Sequence, residues 1–119
     1  MRGKAGAGSD AGSKQESRNQ ILFREVNERV RDVVAPLLTA GEEAEFLCEC
    51  GDHACLETIR LDLDEYEAVR VSPHRFVMVP GHQDGIGQTT LQGNGRFVVV
   101  ERTAFREEAA SQDPRRRNA

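Results

Sequence analysis

Cys48, Cys50 and Cys55 are the three cysteines of this 119-residue chain, and they fall within one eight-residue stretch, Cys48-Glu49-Cys50-Gly51-Asp52-His53-Ala54-Cys55. Thiolates gathered this closely are ligands for a soft, tetrahedral cation, and zinc is the usual occupant. Cys48 and Cys50 are two residues apart, so on an extended strand their side chains share a face. Gly51 and Asp52 favour a tight turn, which folds Cys55 back toward them. The spacing therefore predicts a hairpin with three sulfurs at its tip.

Structural zinc takes four ligands, and the fourth has to come from elsewhere. His82 is the preferred residue, because the Pro80-Gly81 bend can swing its imidazole over the hairpin tip. His53, inside the turn, and His74, beside Pro73, are the alternatives, with Asp52 as an outsider. The expected metal ligands are thus Cys48, Cys50, Cys55 and His82. The competing reading is three buried thiols, or a labile Cys48–Cys50 disulfide. The polar neighbours Glu49, Gly51, Asp52 and His53 weigh against it, since they give the thiols little apolar reason to gather. Four protein ligands leave no open position for water, so the metal is expected to be structural rather than catalytic.

Other chemistry is poorly represented. Gly85-Ile86-Gly87 and Gly93-Asn94-Gly95 precede a β-type run and do not open a helix, so they do not read as a phosphate loop. The zinc-deaminase pattern is missing. Asp62, Asp64, Glu65 and Glu67 read as a solvated helix start rather than paired catalytic carboxylates. A Cys55–His53 nucleophile pair is secondary to coordination. The chain is expected not to be an enzyme.

The elements that must position these residues follow from periodicity. Residues 1–16 are rich in Gly, Ala and Ser and are expected to be a disordered leader. From Ser17 the pattern turns helical: Leu22, Val26, Val30, Val33 and Leu37 recur at spacings of 4, 4, 3 and 4, which places them on one face. Pro36 is expected to end that helix near Val34. Its stripe packs on the protein's own sheet, or pairs with another copy or a partner. Strands are expected around Phe46–Cys50 and from Cys55 to Leu61. Asp62 and Glu65 have the spacing of a capping box for a short helix over 63–71. Phe76-Val77-Met78-Val79 and Phe97-Val98-Val99-Val100 read as two buried strands paired with each other. Residues 83–95 are expected to be a loop, and 106–119 a disordered, basic-tipped tail. The expected fold is a small zinc-stabilised α+β domain over 17–105, in the order α-β-β-α-β-β, with an antiparallel-type sheet and helices on one face.

Charge narrows the partners. The net charge of −4 divides into +2 for residues 1–18, −7 for 19–105 and +1 for 106–119. An acidic folded part argues against nucleic-acid binding there. The tail Arg115-Arg116-Arg117 could tether such a partner but reads first as a solvated end. No apolar run approaches the length of a membrane span, and the N-terminus has no secretory h-region. Clustered thiols in a reducing, cytoplasmic setting are more often metal ligands than disulfides.

The LFREVNERV helix, the CECG…C knuckle, the LDEYEAVR helix and the SPHRFVMVPGH segment together resemble a family of small, functionally uncharacterised bacterial proteins common in high-GC genomes. The resemblance covers roughly residues 20–82 and returns at the 97–101 strand. It implies a metal-binding site with Cys48, Cys50, Cys55 and His82 as ligands, and brings no established activity. The chain departs from the family after His82, where Gln83-Asp84 leads into a glycine-rich segment rather than an acid-rich one.

These observations lead to the expectation of a small regulatory or interaction protein, meeting a protein partner or another copy through helix 22–37. A thiol-based redox or zinc sensor is the second expectation, and a nucleic-acid-binding regulator using the basic tails is the third.

Overall fold

The computed structural model describes the backbone of residues 5–83, 88–102 and 113–117, and side chains within 18–83, 89–102 and 113–115. A long helix, α1 (Ala5–Val34), leads into the hairpin of β1 (Glu43–Leu47) and β2 (Thr58–Asp62). A short helix α2 (Leu63–Val69) follows, then β3 (Arg75–Met78), β4 (Gln88–Gly93) and β5 (Val98–Arg102). A single turn, α3 (Pro114–Arg117), closes the described chain. The strands form two antiparallel sheets: β1 with β2, and a second in the order β3-β5-β4.

The α+β class and the antiparallel pairing agree with the sequence. α1 stops at Val34, two residues before Pro36. α2 begins on the expected capping box, with Glu65 N donating to Asp62 Oδ1 at 2.8 Å and Asp62 N donating to Glu65 Oε1 at 3.0 Å. Phe76 pairs with Val100 and Met78 with Val98. Phe76, Val77 and Met78 are all buried, as a continuous apolar run requires. With Phe46, Leu61, Tyr66 and Val69 they make one core, in which Phe46 and Tyr66 stack at 4.5 Å.

Four expectations are corrected. The segment 83–95 is not all loop, because β4 pairs with β5 along the free edge of the second sheet. Its threonines and glutamines gave no apolar alternation, since an edge strand with exposed side chains needs none. The register slips between Thr90 and Gln92, and a Cβ on Gly93 would meet Val98 Cγ1 at 2.8 Å, so a larger residue there would have to displace that side chain. The backbone of 5–16, expected as a leader, lies within α1. Part of the expected tail is also packed: Asp113 is buried and pairs with Arg70. Residues 1–4 of the expected leader, 84–87 of the expected loop, 103–105 at the end of the expected domain, and 106–112 and 118–119 of the expected tail lie outside the described residues.

The fourth correction concerns the face of α1. Leu22, Val26, Val33 and Leu37, expected to pack inward, are 55%, 39%, 65% and 73% exposed. The buried positions are Gln20, Arg24 and Asn27. At about 100° per residue these lie on the side of the helix opposite the apolar stripe. Of that stripe only Val30 packs partly on the core, and Ile21, on the other side of the buried polar face, does so too. The helix is inside out because its inner face answers charges rather than hydrocarbon.

Glu28 carries one of those charges. It accepts hydrogen bonds from Tyr66 Oη at 2.7 Å, Arg70 Nε at 2.9 Å and Arg115 Nε at 2.7 Å. Burial pushes its carboxyl up, but the bonds from Arg115, Tyr66 and Arg70 outweigh this and hold it at about 2, below the ordinary 4.5. A depressed folded-state value contributes stability that is complete above the unfolded value and lost as pH falls toward the folded one. Unfolding free energy from urea titrations should therefore drop between about pH 4.5 and about 2, and Glu28→Gln should flatten that part of the profile. An unchanged profile would contradict the pairing.

Candidate metal centre

The hairpin does not carry the cysteines on its strands. β1 ends at Leu47 and β2 begins only at Thr58, so the ligand loop occupies 48–57. One further rung, Cys48 N to Glu57 O at 3.1 Å, closes the loop at its base. Gly51 turns the chain with φ +84°, a conformation that favours glycine. Asp52 shapes the return: its side chain accepts from Ala54 N at 2.9 Å and its carbonyl from Cys55 N at 2.9 Å. That turn carries Cys55 back toward Cys48 and Cys50.

β3 delivers the fourth residue. It runs beside the loop, with Glu49 N donating to Val77 O at 2.8 Å and Val79 N donating to Cys48 Sγ at 3.3 Å. Val79-Pro80-Gly81-His82 then forms a turn closed by His82 N to Val79 O at 3.0 Å. Gly81 adopts φ +98°, which with Pro80 before it gives the sequence signature of a type II turn. The turn points the His82 ring at the sulfurs: Nδ1 lies 3.5 Å from Cys48 Sγ and 3.7 Å from Cys55 Sγ.

Cys48, Cys50, Cys55 and His82 offer ligand atoms that all lie within 4.8 Å of one another, and together they could hold a metal ion. The three thiols are free of disulfides. His53 is exposed in the turn, and His74 sits before β3 with its carbonyl bound to Arg102 N at 3.0 Å. Neither histidine joins the cluster, and neither does Asp52.

The thiols interact strongly. A hydrogen bond from Cys48 draws Cys50 down to about 5, with the Asp52 backbone and His82 assisting. The same contact, then burial, pushes Cys48 above the ordinary thiol range. Burial comes first in raising Cys55. Each sulfur also has a backbone amide beside it, from Val79, Asp52 and Glu57 respectively. Amides aimed at sulfur favour the thiolate form, the form that binds metal.

Residues unsuspected from the sequence support the loop from below. Glu49, expected in a polar, solvated tip, has no exposure. Arg24 meets its carboxylate with Nε to Oε2 at 2.9 Å and Nη2 to Oε1 at 2.8 Å. Asn27 Nδ2 donates to Oε2 at 2.9 Å, and Val77 N to Oε1 at 3.1 Å. Gln20 takes the Glu49 carbonyl at 3.0 Å and Asn19 the Gly51 carbonyl at 2.7 Å. Asn27 also bonds both the N–H and the C=O of Leu47, at 2.7 and 3.1 Å, much as a neighbouring strand would. Arg24 further donates to the Arg75 carbonyl and lies 4.5 Å over the Phe76 ring. The signal was in the sequence: Gln20, Arg24, Asn27 and Arg31 recur at spacings of 4, 3 and 4, a helical face made of polar side chains. The apolar stripe lies on the other side of the helix.

No family model, curated protein or solved structure matches this chain. The geometry of the site and its surroundings therefore carries the functional reading.

Removing one partner of a buried ion pair strands the other charge, at a cost of about 3–5 kcal/mol. Arg24→Ala should lose stability of that order in urea denaturation. Arg60→Ala, at a pair with its arginine 61% exposed, should change it far less. Equal losses would show that Glu49 does not depend on Arg24.

Proposed function

We propose that this chain is a non-enzymatic interaction domain held together by a structural zinc ion on Cys48, Cys50, Cys55 and His82. The spacing of the ligand atoms supports this reading most directly. Zn–S bonds of about 2.3 Å and Zn–N bonds of about 2.05 Å at a tetrahedral angle separate sulfur from nitrogen by about 3.6 Å. The separations of Cys48 and Cys55 Sγ from His82 Nδ1 are 3.5 and 3.7 Å, and Cys50 lies within 4.8 Å of the other ligand atoms. The second ring nitrogen of His82, Nε2, lies 3.5 Å from Glu57 Oε2. A carboxylate behind a ligating histidine orients the ring and raises its basicity. Three thiolates and an imidazole fill the metal's coordination, so its contribution is to folding rather than catalysis.

The magnitude is large for so small a protein. Zinc on cysteine and histidine sites supplies about 10–16 kcal/mol near neutral pH. A whole domain is typically stable by about 5–15 kcal/mol. The metal would clamp the 48–57 loop to the bend after β3. The reading places the protein in a reducing compartment such as the cytoplasm. No helix among the described residues is long and apolar enough to cross a membrane. Nucleic acid is a weak candidate partner: residues 19–105 carry −7, and Arg115 is engaged by Glu28 and Glu67. The exposed apolar face of α1 is the better docking surface.

A sensing role is a second reading, favoured by the partial exposure of Cys50 and Cys55. Two of the thiolates would pass two electrons to a peroxide and join as a disulfide. The peroxide would take up two protons and leave as water, and the metal would be released. Peroxide titration with a zinc-release dye separates the readings, since release only on denaturation removes the sensor.

Elemental analysis of the purified protein should find one zinc per chain, and a strong chelator should abolish its cooperative thermal transition. Metal competition assays should show His82→Ala weakening zinc binding far more than His53→Ala. A metal-free protein with an unchanged transition, or equal effects of the two histidines, would overturn the proposal.

A further inference from the structure

α1 presents an apolar seam to solvent on the side away from the metal loop. Leu22, Val26 and Val33 fall within about 40° of one another on the helix, and all three are exposed. Arg29, also exposed, lies in the same seam, and Glu25 flanks it one turn earlier. We infer that this seam pairs with the same seam of a second copy, the two α1 helices lying antiparallel. The inference rests on the reading of the chain as an interaction domain and names its partner.

Arg29 selects this occupant and this direction. In a parallel pair each Arg29 faces its own counterpart, and two like charges meet in the seam. The antiparallel register that sets Leu22 opposite Val33 of the second copy moves Arg29 away from itself. Its aliphatic stem then covers Val26 of the second copy, and its guanidinium reaches the neighbouring Glu25 carboxylate. In an antiparallel helix pair, flanks of the same side face each other, so the twofold axis repeats this ion pair. Leu22, Val26, Glu25, Arg29 and Val33 thus form a self-complementary set, as an isologous interface requires. The contact from Leu22 to Val33 spans about 16 Å of helix. That is a small interface, which gives a concentration-dependent dimer rather than an obligate one.

The seam and the metal loop use opposite faces of α1, so the two can be measured separately on one sample. Sedimentation of the zinc-loaded protein over a concentration series should show a monomer–dimer equilibrium. Val33→Glu should shift it to monomer, with zinc content and helical circular dichroism unchanged. Glu25→Arg and Arg29→Glu should each weaken the dimer at least tenfold, and the double exchange E25R/R29E should restore it. A zinc-loaded protein that stays monomeric overturns the self-pairing and leaves the zinc domain standing. A dimer purified without zinc upholds the pairing and removes the zinc reading. A dimer indifferent to Val33→Glu, or one not restored by the double exchange, overturns the antiparallel seam.

Discussion

The Glu49 carboxylate is carried into the interior between Cys48 and Cys50 of the candidate metal site, and the fold is arranged around that charge. An isolated ionised carboxylate away from water is prohibitively costly, so it persists only when paired and fully hydrogen-bonded. Arg24, Asn27 and the Val77 amide meet that demand from two elements, α1 and β3. Those contacts fix the backbone of the residue that separates Cys48 from Cys50. The same partners hold the loop against β3, which brings His82 within reach of the sulfurs. The ion pair and the candidate metal site therefore constrain one another. Neither α1 nor the loop is positioned by apolar packing alone.

A second charge network extends the same principle along α1. Arg70 bridges Glu28 and Asp113, and Arg115 bridges Glu28 and Glu67. Arg24 reaches Asp113 as well, at 3.6 Å. The chain's final described turn is thereby tied to the helix that begins it. This polar docking explains how a helix can turn its leucines and valines outward without losing its place. Its inner face serves specificity of position, since charged hydrogen bonds are directional where hydrocarbon contact is not. Its outer face is left with Leu22, Val26 and Val33 exposed.

The sequence was legible wherever a local rule decided the outcome. The capping box at Asp62 and Glu65, the stop before Pro36, the buried run Phe76–Met78 and the glycine turn after Cys50 all depend on neighbours in the chain. So does the grouping of the thiols, because the turn that folds Cys55 back is itself local. β4 was not legible, since its exposed Thr89 and Thr90 gain strand geometry from pairing with β5 and not from a pattern of their own. The inward face of α1 was misread for a related reason. Helical periodicity reports that two faces differ, and the rule that the apolar one packs inward is statistical. It fails where the surface awaiting the helix is itself charged.

The linear chain therefore settled the grouping of the three thiols, the local turns and the α+β class, because each follows from residues within a few positions of one another. The tertiary structure decided which histidine meets the sulfurs, since His53, His74 and His82 differ in where β3 and its bend carry them and not in chemistry. It also decided that Glu49 is buried and that Asp113 and Arg115 belong to the packed body. A charge is admitted to the interior only where a distant partner is delivered to it, and no stretch of sequence records that arrival.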